Sequence, residues 1–80
     1  MKDNDLRRNI EKIHTTELGV SRIKKNLELE TRDVVDWCKN TIEQTDAAFC
    51  KKGKNWYVSY QNCTITINAH SYTIITAHKC

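Results

Sequence analysis

Residues 47 to 80 carry two histidines, His70 and His78, and four lysines, Lys51, Lys52, Lys54 and Lys79, with no Asp or Glu among them. Around these lie the hydroxyls of Tyr57, Ser59, Thr64, Thr66 and Thr76 and the ring of Trp56. Such a set suits one chemistry in particular. Cleaving an RNA phosphodiester without a metal needs one group to take the 2′-hydroxyl proton, one to protonate the leaving oxygen, and positive charge beside the phosphate. The 2′-hydroxyl is the built-in nucleophile. His78 is the natural acid or base because imidazole titrates near neutrality, and His70 is placed to help or mirror it. Thr76 and Tyr57 would position the phosphate, and Lys54 would offset its developing charge. Lys51, Lys52 and Lys54 form a basic rim for nucleic acid, with Trp56 or Tyr57 offering a ring to an unpaired base. Without carboxylates the same segment excludes paired-acid glycoside chemistry, a carboxylate Mg²⁺ cage and an aspartic dyad. Lys52-Gly53-Lys54 lacks the rest of a P-loop, and no Ser sits in a Gly-x-Ser-x-Gly elbow.

The charge is divided along the chain. Residues 1 to 46 hold nine basic and all ten acidic side chains, a net −1, and the remainder a net +4. With 80 residues there is room for a single domain, and 39% apolar content with a net charge of +3 excludes a disordered chain. The polar start, Met1-Lys2-Asp3-Asn4-Asp5, does not read as a signal peptide, and no apolar run approaches membrane-spanning length. A cytoplasmic protein that avoids the membrane is expected. Cys38, Cys50, Cys63 and Cys80 show no short Cys pair, so free thiols are expected, with Cys38 in the core. His70, His78, Cys63 and Cys80 read as strand residues and a terminal thiol rather than a metal site. No metal or cofactor is expected.

The elements that must position these groups change character at Asp46. Leu6, Ile10 and Ile13 recur at helical spacing from a cap at Asn4 or Asp5 to about His14. Thr16 can cap a second helix with Val20, Ile23 and Leu27 on one side and Gly19 weakening its first turn. Thr31 can cap a third to about Gln44, with Val34, Val35, Cys38 and Ile42 as the buried stripe and Trp37 beside it. Alternation of period two then predicts strands over 47–51, 55–60, 63–68 and 72–78. They are joined by the turns Lys52-Gly53-Lys54 and Gln61-Asn62 and the link Ala69-His70-Ser71. Short links favour a meander, and the helices are its available cover. The expected architecture is α+β: three N-terminal helices on one face of a four-stranded antiparallel sheet. By alternation Trp56, Val58, Ile65, Ile67, Ile75 and Ala77 face the helices. Tyr57, Ser59, Thr64, Thr66, Asn68, Tyr72, Ile74, Thr76 and His78 face outward.

Gly53-Lys54-Asn55-Trp56-Tyr57-Val58 and the run from Thr66 to His78, with Leu18-Gly19-Val20 and Arg22 to Leu27, resemble a family of short bacterial proteins known only as a domain of unknown function. That resemblance spans nearly the whole chain and implies no activity. The ending Ile74-Ile75-Thr76-Ala77-His78, with its partner Thr64 to Asn68, is also similar to the last strands of barnase, colicin and RelE type toxin ribonucleases. That similarity implies a ribonuclease whose functional strand end is Thr76 and His78, and a protein partner such as an inhibitor. An acidic general base in the sheet is missing from the pattern.

Two further readings stand beside an RNA-binding protein or ribonuclease. An interaction module would dock a protein on the Tyr and Thr face or on a free edge strand. A winged helix-turn-helix would present the third helix to DNA, but Asp33, Asp36, Glu43 and Asp46 crowd that helix.

Overall fold

The computed structural model describes residues 5–28 and 33–79. Three helices, α1 (Asp5–Arg8), α2 (Glu17–Leu27) and α3 (Val34–Ile42), precede four strands, β1 (Ala48–Lys52), β2 (Asn55–Tyr60), β3 (Cys63–Asn68) and β4 (Ile74–Lys79). The strands pair in chain order as an antiparallel meander. The α+β architecture read from the periodicity is therefore present. Its first helix is reduced, because the predicted continuous helix to His14 stops at Arg8.

A 3₁₀ turn (Ile10–Lys12) follows, and Ile13 is already extended, with ψ 131°. The reason is tertiary. His14 N–H donates to the Tyr72 carbonyl (3.2 Å) and the His14 carbonyl accepts from Ile74 N–H (2.7 Å), a parallel bridge onto the start of β4. Two backbone bonds to a distant strand replace the last helical turn, while Leu6 and Ile13 still reach the core.

The α2 helix begins as expected: Thr16 caps it by accepting from Gly19 N–H (3.0 Å). A Cβ at Gly19 would run into Thr15 Oγ1, so a larger residue there would force the Thr15 side chain to shift. Thr15 Oγ1 itself donates to the Ile74 carbonyl (2.9 Å), so the chain just before α2 is tied to β4. Farther along, Asn26 Nδ2 donates to the Ala77 carbonyl (3.2 Å), and Lys79 pairs with Glu28 (3.1 Å). The outer edge of β4 is thereby occupied. The opposite edge, β1, is left to Lys51 and Lys52, whose charge opposes pairing with another chain.

The α3 cap lies at Asp33, which accepts from Asp36 N–H (2.9 Å); the expected cap Thr31 falls outside the described residues. Val34, Cys38, Thr41 and Ile42 form its buried side, and Val35 sits at the margin rather than in the stripe as expected. Its C-terminal end is held by Arg7, whose Nε donates to the Ile42 carbonyl (3.2 Å) and whose guanidinium lies 4.8 Å from the Phe49 ring centroid. An arginine at this end satisfies carbonyls that the helix cannot.

The core lies between the helices and one face of the sheet, from Leu6, Ile23, Leu27, Val34, Cys38 and Ile42 above to Val58, Ile65, Ile67, Ile74 and Ala77 below. Three facing assignments change, all at or just before the start of β4: Tyr72, Ile74 and Ile75. The β3–β4 register shifts between Thr66, opposite Thr76, and Ile67, opposite Ile74, so that Ile75 is an extra residue in β4. This bulge reverses the alternation: Ile74 is 1% exposed and Ile75 39% exposed, the opposite of the expected order. Tyr72 is not a strand residue facing outward. It lies in the link with φ 60°, half-buried against the core, with the Lys12 ammonium 5.7 Å from its ring centroid.

Candidate nucleic-acid interface

The uncovered face of the sheet is built by register. Cys50, Tyr57, Thr66 and Thr76 form one row across all four strands, and Ala48, Ser59, Thr64 and His78 form the next. Tyr57 and Thr76 are thus two strand spacings apart, about 10 Å, with Thr66 between them. Thr66 is only 8% exposed although its row faces away from the helices. His78 is exposed at the edge of this face, two residues beyond Thr76 on β4. Tyr57, Thr76 and His78 therefore share one surface. Tyr57 also borders a shallow hollow of about 420 Å³ with Cys50 and Lys52.

Lys54 and His70 lie elsewhere. Opposite ends of β3 mark the separation: Thr64 is opposite His78, whereas Asn68 is opposite Asn55, next to Lys54. Four residues of strand span about 13 Å. At this second end Lys51, Gly53, Lys54, Asn68, Ala69, His70 and Ser71 line a groove of about 690 Å³. Gly53 adopts φ 58° in the two-residue turn between β1 and β2, a conformation that suits glycine and brings Lys52 and Lys54 round the same corner. The Ala69 N–H donates to the Lys54 carbonyl (2.8 Å), which joins this hairpin to the β3–β4 link. Inside the link, Asn68 Oδ1 accepts from the N–H groups of His70 and Ser71, each at 2.9 Å.

Trp56 is on the helix side, half-buried and edge-on to Phe49 with ring centroids 6.3 Å apart. The Lys51 ammonium lies 6.0 Å from its ring centroid. Of the two aromatic side chains considered for stacking, Tyr57 is the one on the uncovered face.

The thiols are dispersed. Cys38, Cys50 and Cys63 are free, and burial pushes the Cys38 thiol up to about 12. Cys63 belongs to the helix side, His78 to the other face, and His70 to the far end, so these three do not converge; Cys80 is outside the described residues. Among the described residues no group of three His, Cys, Asp or Glu could hold a metal ion.

Spacing did not single out His14, Ser71 or Thr73. Thr73 Oγ1 is 3.1 Å from His14 Nε2 and 2.9 Å from Ser71 Oγ. Fifty-nine residues separate His14 from Thr73. Only the parallel bridge to β4 brings them together, so no local motif signals them.

These features define an α+β protein with helices over one face of a four-stranded meander and a basic groove at one end of it. The chain belongs to the DUF3781 family, a family of proteins of unknown function, whose sequence model matches residues 7–78. No curated protein and no solved structure matches the chain. Among the described residues no helix is long and apolar enough to cross a membrane.

Proposed function

We propose that this protein binds single-stranded RNA across the uncovered sheet face. An unpaired base stacks on Tyr57, and the phosphates run to Lys52, Lys54 and Lys51 at the hairpin end. The observation that carries this reading is the separation of charge by layer. All acidic side chains belong to residues 1 to 46, while the sheet and its loops hold lysines alone. A polyanion approaching the uncovered face meets no carboxylate from the sheet, and a ring on an open sheet accepts a base of any identity. The α3 helix supports the reading by contrast, since Asp36 on its exposed side and Glu43 at its C-terminal cap would repel a DNA backbone. The deciding experiment is a fluorescence titration of labelled single-stranded RNA at several salt concentrations. Binding that weakens steeply with salt supports the proposal. No affinity at low salt overturns it and leaves a protein-docking module, with β1 as the free edge, as the better account.

Metal-independent cleavage is a second reading, favoured by His70 sharing one groove with Lys51 and Lys54. In this reading His70 exchanges a proton at the phosphate held by the lysines, and His78 with Thr76 serves the strand that crosses the sheet face. Labelled RNA in excess chelator tests it. His70→Ala is expected to lower cleavage by roughly 10²-fold or more, the usual loss for a positioned acid or base, with His78→Ala measured beside it. RNA left uncut by the wild-type chain ends the cleavage reading without touching the binding one.

A further inference from the structure

A chain of hydrogen bonds runs from the wall of the basic groove to a histidine outside it. Ser71 Oγ, on the groove wall, lies 2.9 Å from Thr73 Oγ1, and Thr73 Oγ1 lies 3.1 Å from His14 Nε2. The far ring nitrogen, Nδ1, is 2.8 Å from the Lys12 carbonyl. A carbonyl only accepts, so Nδ1 carries the proton in the neutral ring and Nε2 is left as an acceptor aimed at Thr73. Thr73 then donates to His14, and the Ser71 hydroxyl, which has Asn68 Oδ1 (3.2 Å) as one acceptor, has a Thr73 lone pair at 2.9 Å as the other. In this arrangement, with Thr73 as a relay between them, Ser71 and His14 stand as hydroxyl and base, and the Lys12 carbonyl is the third group that fixes the tautomer of the base.

The backbone is bent to make it. Tyr72, between the two hydroxyl residues, is held at φ 60°, a conformation that a bulky side chain rarely adopts. It is locked by Tyr72 N–H donating to the Asn68 carbonyl (2.8 Å) and by His14 N–H donating to the Tyr72 carbonyl (3.2 Å). Left-handed geometry at Tyr72 turns Ser71 and Thr73 toward each other. Lys51, Lys54 and His70 line the same groove as Ser71.

We propose that Ser71 is a nucleophile for a phosphoryl centre bound in this groove, activated by His14 through Thr73. Ser71 Oγ forms a bond to phosphorus as the bond from phosphorus to the leaving oxygen breaks. The Ser71 proton passes to Thr73 Oγ1 while the Thr73 proton passes to His14 Nε2, and protonated His70 supplies the proton taken up by the leaving oxygen. Lys51 and Lys54 offset the charge on the phosphoryl oxygens. The product is a phosphoester on Ser71. This activity does not depend on RNA binding, and a small electrophile can probe it alone.

The test is reaction of the full chain with diisopropyl fluorophosphate, in which the P–F bond breaks and fluoride leaves, followed by intact mass and peptide mapping. One adduct per chain, on Ser71, is expected, and Ser71→Ala should abolish it. His14→Gln and Thr73→Val should each slow labelling by roughly 10²-fold, while Thr73→Ser, which keeps the hydroxyl, should restore most of the rate. Thermal melts accompany each variant, and the Thr73→Val and Thr73→Ser pair decides the matter even if His14→Gln is unstable. An unlabelled wild-type chain, an adduct elsewhere such as Tyr57, or a folded Thr73→Val labelled at the wild-type rate would overturn the proposal.

Discussion

At the scale of single residues, Cys38 is the clearest case of environment setting chemistry. It is fully enclosed between α3 and the sheet, and desolvation disfavours its thiolate, which raises the thiol from 9.0 to about 12. Unfolding returns it to the ordinary value, so the unfolded chain loses this proton at lower pH than the native one. The sign follows: the contribution is intact below about pH 9 and is lost as pH rises toward 12, with a slope on the order of 1 kcal/mol per pH unit. Denaturant midpoints measured from pH 8 to 11 should fall more steeply for the wild-type chain than for Cys38→Val. A thiol reagent at neutral pH should modify exposed Cys50 quickly and Cys38 only at the rate of unfolding. The burial of Cys38 was legible from its place in an apolar stripe. The same stripe misplaced Val35, because a residue at the edge of a helical face reads as apolar whether or not a neighbour covers it.

At the scale of elements, the bulge in β4 separates two isoleucines that the sequence cannot tell apart. Ile74→Ala removes a side chain enclosed in the core and should cost about 2 to 4 kcal/mol. Ile75→Ala acts on the exposed bulge residue and should stay within about 1 kcal/mol. Equal losses in chemical denaturation, or a larger one at Ile75, would restore regular alternation, with Ile75 inward and Ile74 outward, and leave Thr76 and His78 on the outer face. Helix caps give a milder test. Asp33 accepts the Asp36 N–H at the start of α3, and Asp33→Ala should cost about 1 kcal/mol in the same assay. The strands β2 and β3 match the reading from alternation residue for residue, since each is a regular strand bounded by a turn. A bulge has no composition signature in Ile-Ile-Thr, because any of the three could be the extra residue.

For the whole molecule, the two layers differ in charge as well as in structure, with every carboxylate carried by residues 1 to 46 and the sheet carrying lysines. If the sheet receives RNA, each phosphate neutralised on a single strand contributes about 0.7 to the slope of log affinity against log salt. Lys52→Ala combined with Lys54→Ala should then reduce that slope by about 1.4, with Lys24→Ala on α2 leaving it unchanged. An unaltered slope in the double variant would move the phosphate path off the hairpin. The closed β4 edge favours β1 as the side from which a strand enters. Asn26, Glu28 and His14 occupy the rim of β4, whereas β1 presents its backbone between lysines.

Much of this protein is local and so was determined by the chain's own pattern: the change from helical to alternating periodicity at Asp46, the two hairpins, the meander, and the acid-free half. Each depends on propensities and contacts within a few residues, which a sequence displays directly. The candidate site was legible only as an inventory. Alternation placed Tyr57, Thr76 and His78 on one face, and the meander order puts Lys54 and His70 together at the other end; the distance between the two groups was left to the register. His14 was passed over altogether. Its partner Thr73 is distant in sequence, and the bridge that joins them forms only when the edge of β4 needs backbone partners that the meander does not supply.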